Sequence, residues 1–372
     1  MGEKLKELKT KRYNDFIGYK VSIEVGGKDI TKEKDLLIRD VSVVLSTGLE
    51  ASVCTFNFKS KVTSYDSKGG KIEDDSCIPE ITKLGTKVEV KMGYDDKLKQ
   101  VFVGYVYTVN VNVETVTEII YTVEAMDVKA LMMNSRRMDV KTAATDSYSK
   151  AVTELLKDYS AYYNDTEITE TQQLTTPIVQ YDQSDYEFVA GLAKKLNYLF
   201  YVFNGKVFFT KYPTGDAAIE IEPGVDLLSF SREATLSDQV KTVIARSNDE
   251  KNPEEPIEGK TSAIKNKIGD GKRSATDAKI IDDKNTVVII DNTVNSQEEA
   301  EKRAQAELER LSMGFAKGSF EVRGIPEIEP GTYVEIKGFN EDLNGKYFVT
   351  EVRHEVNSSE YRTHCKFEVN TI

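Results

Sequence analysis

A block of sequence near residue 80 returns near residue 326, and this recurrence limits the fold more than any other feature. Pro79-Glu80-Ile81, Gly85-Thr86-Lys87-Val88-Glu89-Val90-Lys91, Gly93-Tyr94 and Phe102-Val103-Gly104-Tyr105-Val106 occur in that order. Later come Pro326-Glu327-Ile328, Gly331-Thr332-Tyr333-Val334-Glu335-Ile336-Lys337, Gly338-Phe339 and Tyr347-Phe348-Val349-Thr350-Glu351-Val352. Gly331 follows Gly85 by 246 residues, and Val349 follows Val103 by the same interval. Leu36-Leu37 has a weaker echo in Leu227-Leu228. A common strand opening would explain the Gly-Thr segments alone; the ordered series points to a duplicated β-domain. Two copies are too few for a solenoid, which stacks three or more short repeats. Three such chains in a ring would carry six related domains, so that a trimer imitates a hexamer.

Alternation of period two marks the strands of the first copy. Val21, Ile23 and Val25 lead into Gly26-Gly27, and Val41-Val43-Leu45, Val53-Thr55-Asn57, Val88 to Lys91, Val101 to Val113 and Thr117 to Ala125 follow. Residues 60–78 read as a long loop. The middle of the chain changes period. Ala151, Val152, Leu155, Leu156 and Tyr159 share a helical stripe. A second helix opens at Ser184-Asp185-Tyr186-Glu187, a capping box in which Ser and Glu satisfy each other's orphan amides, with Phe188, Val189, Leu192 and Leu196 on its apolar side. Asn204-Gly205 between two apolar runs signals a hairpin, because both turn positions require positive φ. Residues 249–285 are charged and poor in apolar groups, which reads as a flexible surface insertion. Ser296-Gln297-Glu298-Glu299 opens a last helix bearing Ala300, Ala304, Leu308 and Leu311, with Gly314 near its stop.

The expected fold is mainly β with an α+β insertion: a first barrel or sandwich domain over 1–135, the α+β domain over 136–225, and a second related one over 226–372. The 372 residues suffice for this.

Charge and composition remove several functions. The net charge is −12, against phosphate binding as the main task, since phosphate contacts need Lys or Arg. Cys54, Cys77 and Cys365 fit neither a disulfide framework nor a zinc spacing. There is no apolar leader and no membrane-length apolar run. Gly259-Lys260-Thr261 lacks the earlier glycine of a phosphate loop, because position 254 is Glu254. Gly269-Asp270-Gly271 ends in Ser274 where a dinucleotide loop needs glycine. His354 and His364 are the only histidines; His364 and its neighbour Cys365 point to opposite faces of a strand, so a shared metal site is not expected. No catalytic, cofactor or metal residues are assigned. Gly85, Gly331, Pro326, Gly345 and the Ser184/Glu187 cap are structural markers. Two local features stay open: Tyr159, Tyr162 and Tyr163 as an interface cluster or a helix end, and the basic stretch Lys4 to Arg12 as a binding arm or a frayed tail.

Three segments together resemble the late control protein D family of phages, the baseplate hubs of contractile tails and related injection systems. The first is Val179-Gln180-Tyr181-Asp182-Gln183-Ser184 through Ala193. The second is the helix Ser296 to Leu311. The third is Ile325-Pro326-Glu327-Ile328-Glu329-Pro330-Gly331, followed by Gly345-Lys346-Tyr347-Phe348-Val349, Val352-Arg353-His354 and Tyr361-Arg362-Thr363. The resemblance makes the first and second related domains tube-like β-barrel domains. It implies a homotrimeric, pseudo-hexameric adaptor between a hexameric tail tube protein and a trimeric spike protein, touching other baseplate components and the tape measure. It implies synthesis in a bacterial cytoplasm, assembly into a virion or tail-like particle (a bacteriocin included), and no enzymatic activity. Because the sequence stops at Ile372, the spike is expected to be a separate polypeptide. The competing expectations are a carbohydrate-binding β-rich surface module, which the absence of Trp and of a leader disfavours, and a cell-wall-cleaving enzyme, for which no nucleophile or acid pair stands out.

Overall fold

β-branched and aromatic residues at alternate positions make strand the commonest structure in this chain. The computed structural model describes residues 3–4, 13–33, 36–48, 50–61, 78–115, 118–135, 141–143, 147–174, 178–224, 227–247 and 256–372. The first repeat contains β1 (Glu3–Lys4), β2 (Tyr19–Val25), β3 (Lys28–Asp29), β4 (Leu37–Ser46), β5 (Val53–Lys61), the short helix α1 (Ile78–Ile81), β6 (Lys87–Tyr94), β7 (Lys97–Thr115) and β8 (Glu118–Met126). A mixed unit follows: α2 (Val128–Asn134), β9 (Lys141–Ala143), α3 (Tyr148–Leu156), β10 (Asp165–Ile168), β11 (Ile178–Gln180), α4 (Asp185–Leu196), β12 (Leu199–Phe203) and β13 (Lys206–Thr210). The second repeat has β14 (Ile219–Ile221), β15 (Leu227–Ala234), β16 (Thr242–Ser247), β17 (Ile257–Thr261), β18 (Thr286–Ile290), α5 (Gln297–Ser312), β19 (Ala316–Arg323), β20 (Tyr333–Ile336), β21 (Gly345–Val356) and β22 (Tyr361–Val369). The protein is mostly β, with a curled, half-barrel sheet.

The duplication is visible in strand order. The first repeat reads β2-β6-β7-β8-β5-β4, and the second reads β14-β20-β21-β22-β19-β15. Irregularities recur as well. Gly85 and Gly331 both have φ +81. The Gly85 amide donates to the Val106 carbonyl and the Gly331 amide to the Val349 carbonyl, each at 2.8 Å. β7 bulges between Val106 and Thr108 and β21 between Val349 and Glu351; β4 bulges between Ile38 and Val41 and β15 between Leu227 and Ser229. Ile78-Pro79-Glu80-Ile81 and Ile325-Pro326-Glu327-Ile328 are identical, and all four isoleucines are buried.

These landmarks correct the alignment read from sequence. Val349 corresponds to Val106, not Val103, because the second repeat is three residues shorter between its Gly-Thr anchor and this strand. The outermost pairing also differs: β2 meets β6 antiparallel, whereas β14 meets β20 in parallel.

The two related domains meet edge to edge: β4 pairs antiparallel with β21, from Ser46 opposite Glu351 to Val41 opposite Val356, joining the repeats in one sheet of 14 strands. One apolar cluster, from Tyr13 to Val369, runs through both. Within β5 the buried residues are Cys54, Phe56 and Phe58, while Val53, Thr55 and Asn57 face away from the core.

The mixed unit has its own core, from Val128 to Phe209, so its packing begins before residue 136. β14 already belongs to the second repeat's sheet. The 249–285 stretch also departs from expectation. Of its described part, β17 pairs with β16, and the turn at Gly269–Ser274 bridges to Thr371. β16 and α5 bury Val243, Ala245, Ala304 and Leu308 together, a small third core. The low apolar content misled because the stretch needs no core of its own: its buried Ile268 and Ala275 join the main core.

Candidate assembly surfaces

The sheet has two distinct ends. β4 finishes and β5 starts at the end where Val53 faces Met126; β5 finishes and β8 starts at the other, where Lys61 faces Glu118. At the first end the β4–β5 connection holds the mixed unit. Asp127, fully buried, caps α2: its carboxylate accepts the Ser52 and Lys129 amides, each at 2.8 Å. Lys129, also fully buried, donates from Nζ to the Gly48 and Glu50 carbonyls. Burial pushes the Asp127 carboxyl up and the Lys129 amine down, and each charge opposes the shift of the other. Ser52 Oγ adds a bond to the Val202 carbonyl on β12. In the second repeat the equivalent β15–β19 connection carries β16, β17, β18 and α5. An ionic node ties this layer to the mixed unit: Asp291 meets Lys195 at 3.1 Å and Arg303 at 3.2 Å. Thr293 and Lys195 hold the Asp291 carboxyl below its usual range against the opposing effect of burial.

At the other end lie the β21–β22 turn, the paired ends of β7 and β8, and the ends of β5 and β19. Beside the joint lies an aromatic knot. Tyr94 and Tyr361 are 5.9 Å apart, Tyr13 is 5.4 Å from Tyr94, and Tyr94 OH donates to the Gly324 carbonyl at 2.9 Å. His354 is fully buried here, and its Nδ1 meets Thr363 Oγ1 and Tyr361 OH, both at 3.1 Å, while Nε2 has no partner. Burial, with a smaller contribution from Lys99, pulls its pKa down to about 3.

The other sequence markers fall into place individually. The Ser184/Glu187 capping box forms. Asn204 and Gly205 both take positive φ. Pro326 sits in the repeated Ile-Pro-Glu-Ile turn, and Gly345 opens β21 against Asp270. His354 faces Thr363, not His364, whose ring lies between Glu321 and Glu355 at 3.6 and 3.4 Å. Cys54 and Cys365 are buried separately, and burial raises both thiols; Cys77 lies outside the described residues. Tyr159 is core, donating to buried Asp185 at 2.7 Å. Tyr162 stacks edge-on against Tyr105, and Tyr163 packs on the mixed unit's core. Gly259-Lys260-Thr261 is strand, with Gly259 pressed on the α5 backbone at Ala300 and Glu301. Of the basic N-terminal stretch, Lys4 is in β1, which pairs with β14; residues 5–12 lie outside the described residues. Among the described residues no cluster of three or more His, Cys, Asp or Glu could hold a metal ion, and no helix is long and apolar enough to cross a membrane.

The fold, a duplicated β-sheet with one mixed unit between its copies, is shared with solved structures of tail proteins. The chain overlays on a 43 kDa prophage tail protein from Shewanella oneidensis at 14% identity, TM-score 0.66, covering 93% of this chain and 97% of that one. A tail protein from Neisseria meningitidis gives 10% identity and TM-score 0.66, covering 94% and 96%. An Escherichia coli type VI secretion component gives 9% identity and TM-score 0.58, covering 93% and 76%. The chain belongs to the family described as the Alg8 N-terminal domain, whose model matches residues 77–358. No curated protein sequence matches it.

Proposed function

We propose that this chain is a structural hub of a phage tail, tail-like bacteriocin or related injection apparatus, three copies forming a pseudo-hexameric ring between a hexameric tube and a trimeric spike. One observation carries the reading: a single chain holds the same six-strand order twice, joined through β4 and β21. Repeating that joint between chains would give a ring of heterologous contacts, closed at three chains. The ends of the sheet match the two symmetries. The mixed unit and the α5 layer occur once per chain, so their end presents threefold features to a spike. The opposite end offers the paired ends of β7 and β8 from one repeat and of β21 and β22 from the other, six such pairs in the ring, to a tube. The shared fold with tail proteins supports the setting. The role is structural rather than catalytic, with other baseplate components and the tape measure as further neighbours.

Light scattering of the purified chain, alone and with its tube and spike partners, tests the reading. Three-chain mass alone or with either partner is expected. A monomer that ignores both overturns it. Release of fragments from peptidoglycan by the purified chain would overturn the non-catalytic assignment.

A further inference from the structure

We infer that chains associate by pairing the free edge of β15 with the free edge of the outer half of β7 in a second copy, reproducing the β4–β21 joint residue for residue. This rests on the three-copy reading and specifies its contact. The bulges and glycines place Thr108–Val113 of β7 on Glu351–Val356 of β21, and Val41–Leu45 of β4 on Phe230–Ala234 of β15. β21 uses these residues to bind β4. Among the described residues, the same length of β7 pairs only with β8, and Phe230–Ala234 of β15 only with β19.

The apolar pattern independently marks the β7 edge as incomplete. Val352, His354 and Val356 are buried under the joint, but of their counterparts Val111 is 52% and Val113 67% exposed. Both point to the core face, since they stand opposite buried Tyr121 and Ile119. An unpaired strand edge with exposed valines is an association surface unless something covers it. Transferring the observed β4–β21 register sets Phe230 opposite Val113, Ser231 opposite Asn112, Arg232 opposite Val111 and Ala234 opposite Val109. Arg232 suits its place because its guanidinium turns back to the Asp342 carbonyl and to Tyr347 OH, leaving the aliphatic stem toward the valine. The occupant of each edge is a second copy of this chain, because the only surface seen to complete this edge is the chain's own repeat.

Two full-length variants test it. In a Cys77→Ser background, Ser231→Cys with Asn112→Cys treated with a short bismaleimide should give two- and three-chain bands, and either cysteine alone should not. Val111→Asp with Val113→Asp alters residues exposed in the single chain, so circular dichroism should be unchanged while association weakens by about a hundredfold, as for unpaired charge buried at an interface. A three-chain mass that survives the double Asp variant, or that gives no cross-link, overturns this contact and leaves the trimer intact. A chain that stays monomeric with its partners overturns the trimer and this contact together.

Discussion

Replacing His354 by valine should abolish an acid sensitivity built into the joint between the repeats. The imidazole is fully buried, and its pKa is drawn to about 3 from an ordinary value near 6.5. A base whose folded pKa is depressed favours its neutral form in the native state. The unfolded chain then binds more protons between these two values, so stability is complete above pH 6.5 and falls as pH drops toward 3. For one such group the loss from pH 7 to pH 5 is about 2 kcal/mol, and about 3 kcal/mol by pH 4. Valine fits the space, since Val111 holds the equivalent position in the first repeat. At pH 7 the variant forfeits the Thr363 and Tyr361 contacts, a cost of about 1–2 kcal/mol, and removes the unpartnered Nε2. Urea unfolding of both proteins at pH 7, 6, 5 and 4 measures the difference. The stability gap should close and then reverse by pH 5, because only the parent protein pays for protonating a buried ring. Parallel curves for the two proteins would refute the assignment of this histidine as neutral and enclosed.

Other substitutions probe the repeat and the contacts between units. Gly85→Ala meets open space and should cost only the positive-φ strain, about 1 kcal/mol, whereas at Gly331 a Cβ would stand 2.5 Å from Tyr201 OH, so Gly331→Ala should cost about 2–3 kcal/mol. Tyr201→Phe should recover only part of the excess in the double variant, because the ring Cζ would still stand 2.9 Å away, and equal losses at the two glycines in denaturant titrations would contradict this geometry. Asp291→Asn should lower stability by about 1–2 kcal/mol at pH 7, since it takes the carboxylate from partly buried Lys195, while Arg303 keeps Glu307. The depressed Asp291 pKa contributes stability above its unfolded value, and that contribution should vanish in urea midpoints as pH falls through the folded value. Ser184→Ala removes both hydroxyl bonds of the α4 cap and should cost about 1 kcal/mol, read as a shift in melting temperature.

Local chemistry was legible before any coordinates. The Ser184 and Ser296 caps, the Asn204-Gly205 turn and the Gly85 and Gly331 conformations follow from neighbours within a few residues, where propensity and hydrogen bonding act directly. The duplication was legible too, because two copies must solve the same packing problem with similar residues. Long-range pairing was not. Nothing near Val41 or Val356 in sequence indicates that they stand opposite each other, so the edge-to-edge joining of the two related domains in one sheet belongs to tertiary structure alone. The same holds for Tyr159, whose hydroxyl reaches Asp185 inside the core, and for the 256–285 stretch, whose Ile268 and Ala275 are buried in the main core. The exposed valines of β7 show the division most directly. Their alternation marks a strand, and only the buried state of their counterparts in β21 reveals that one edge is left unfilled.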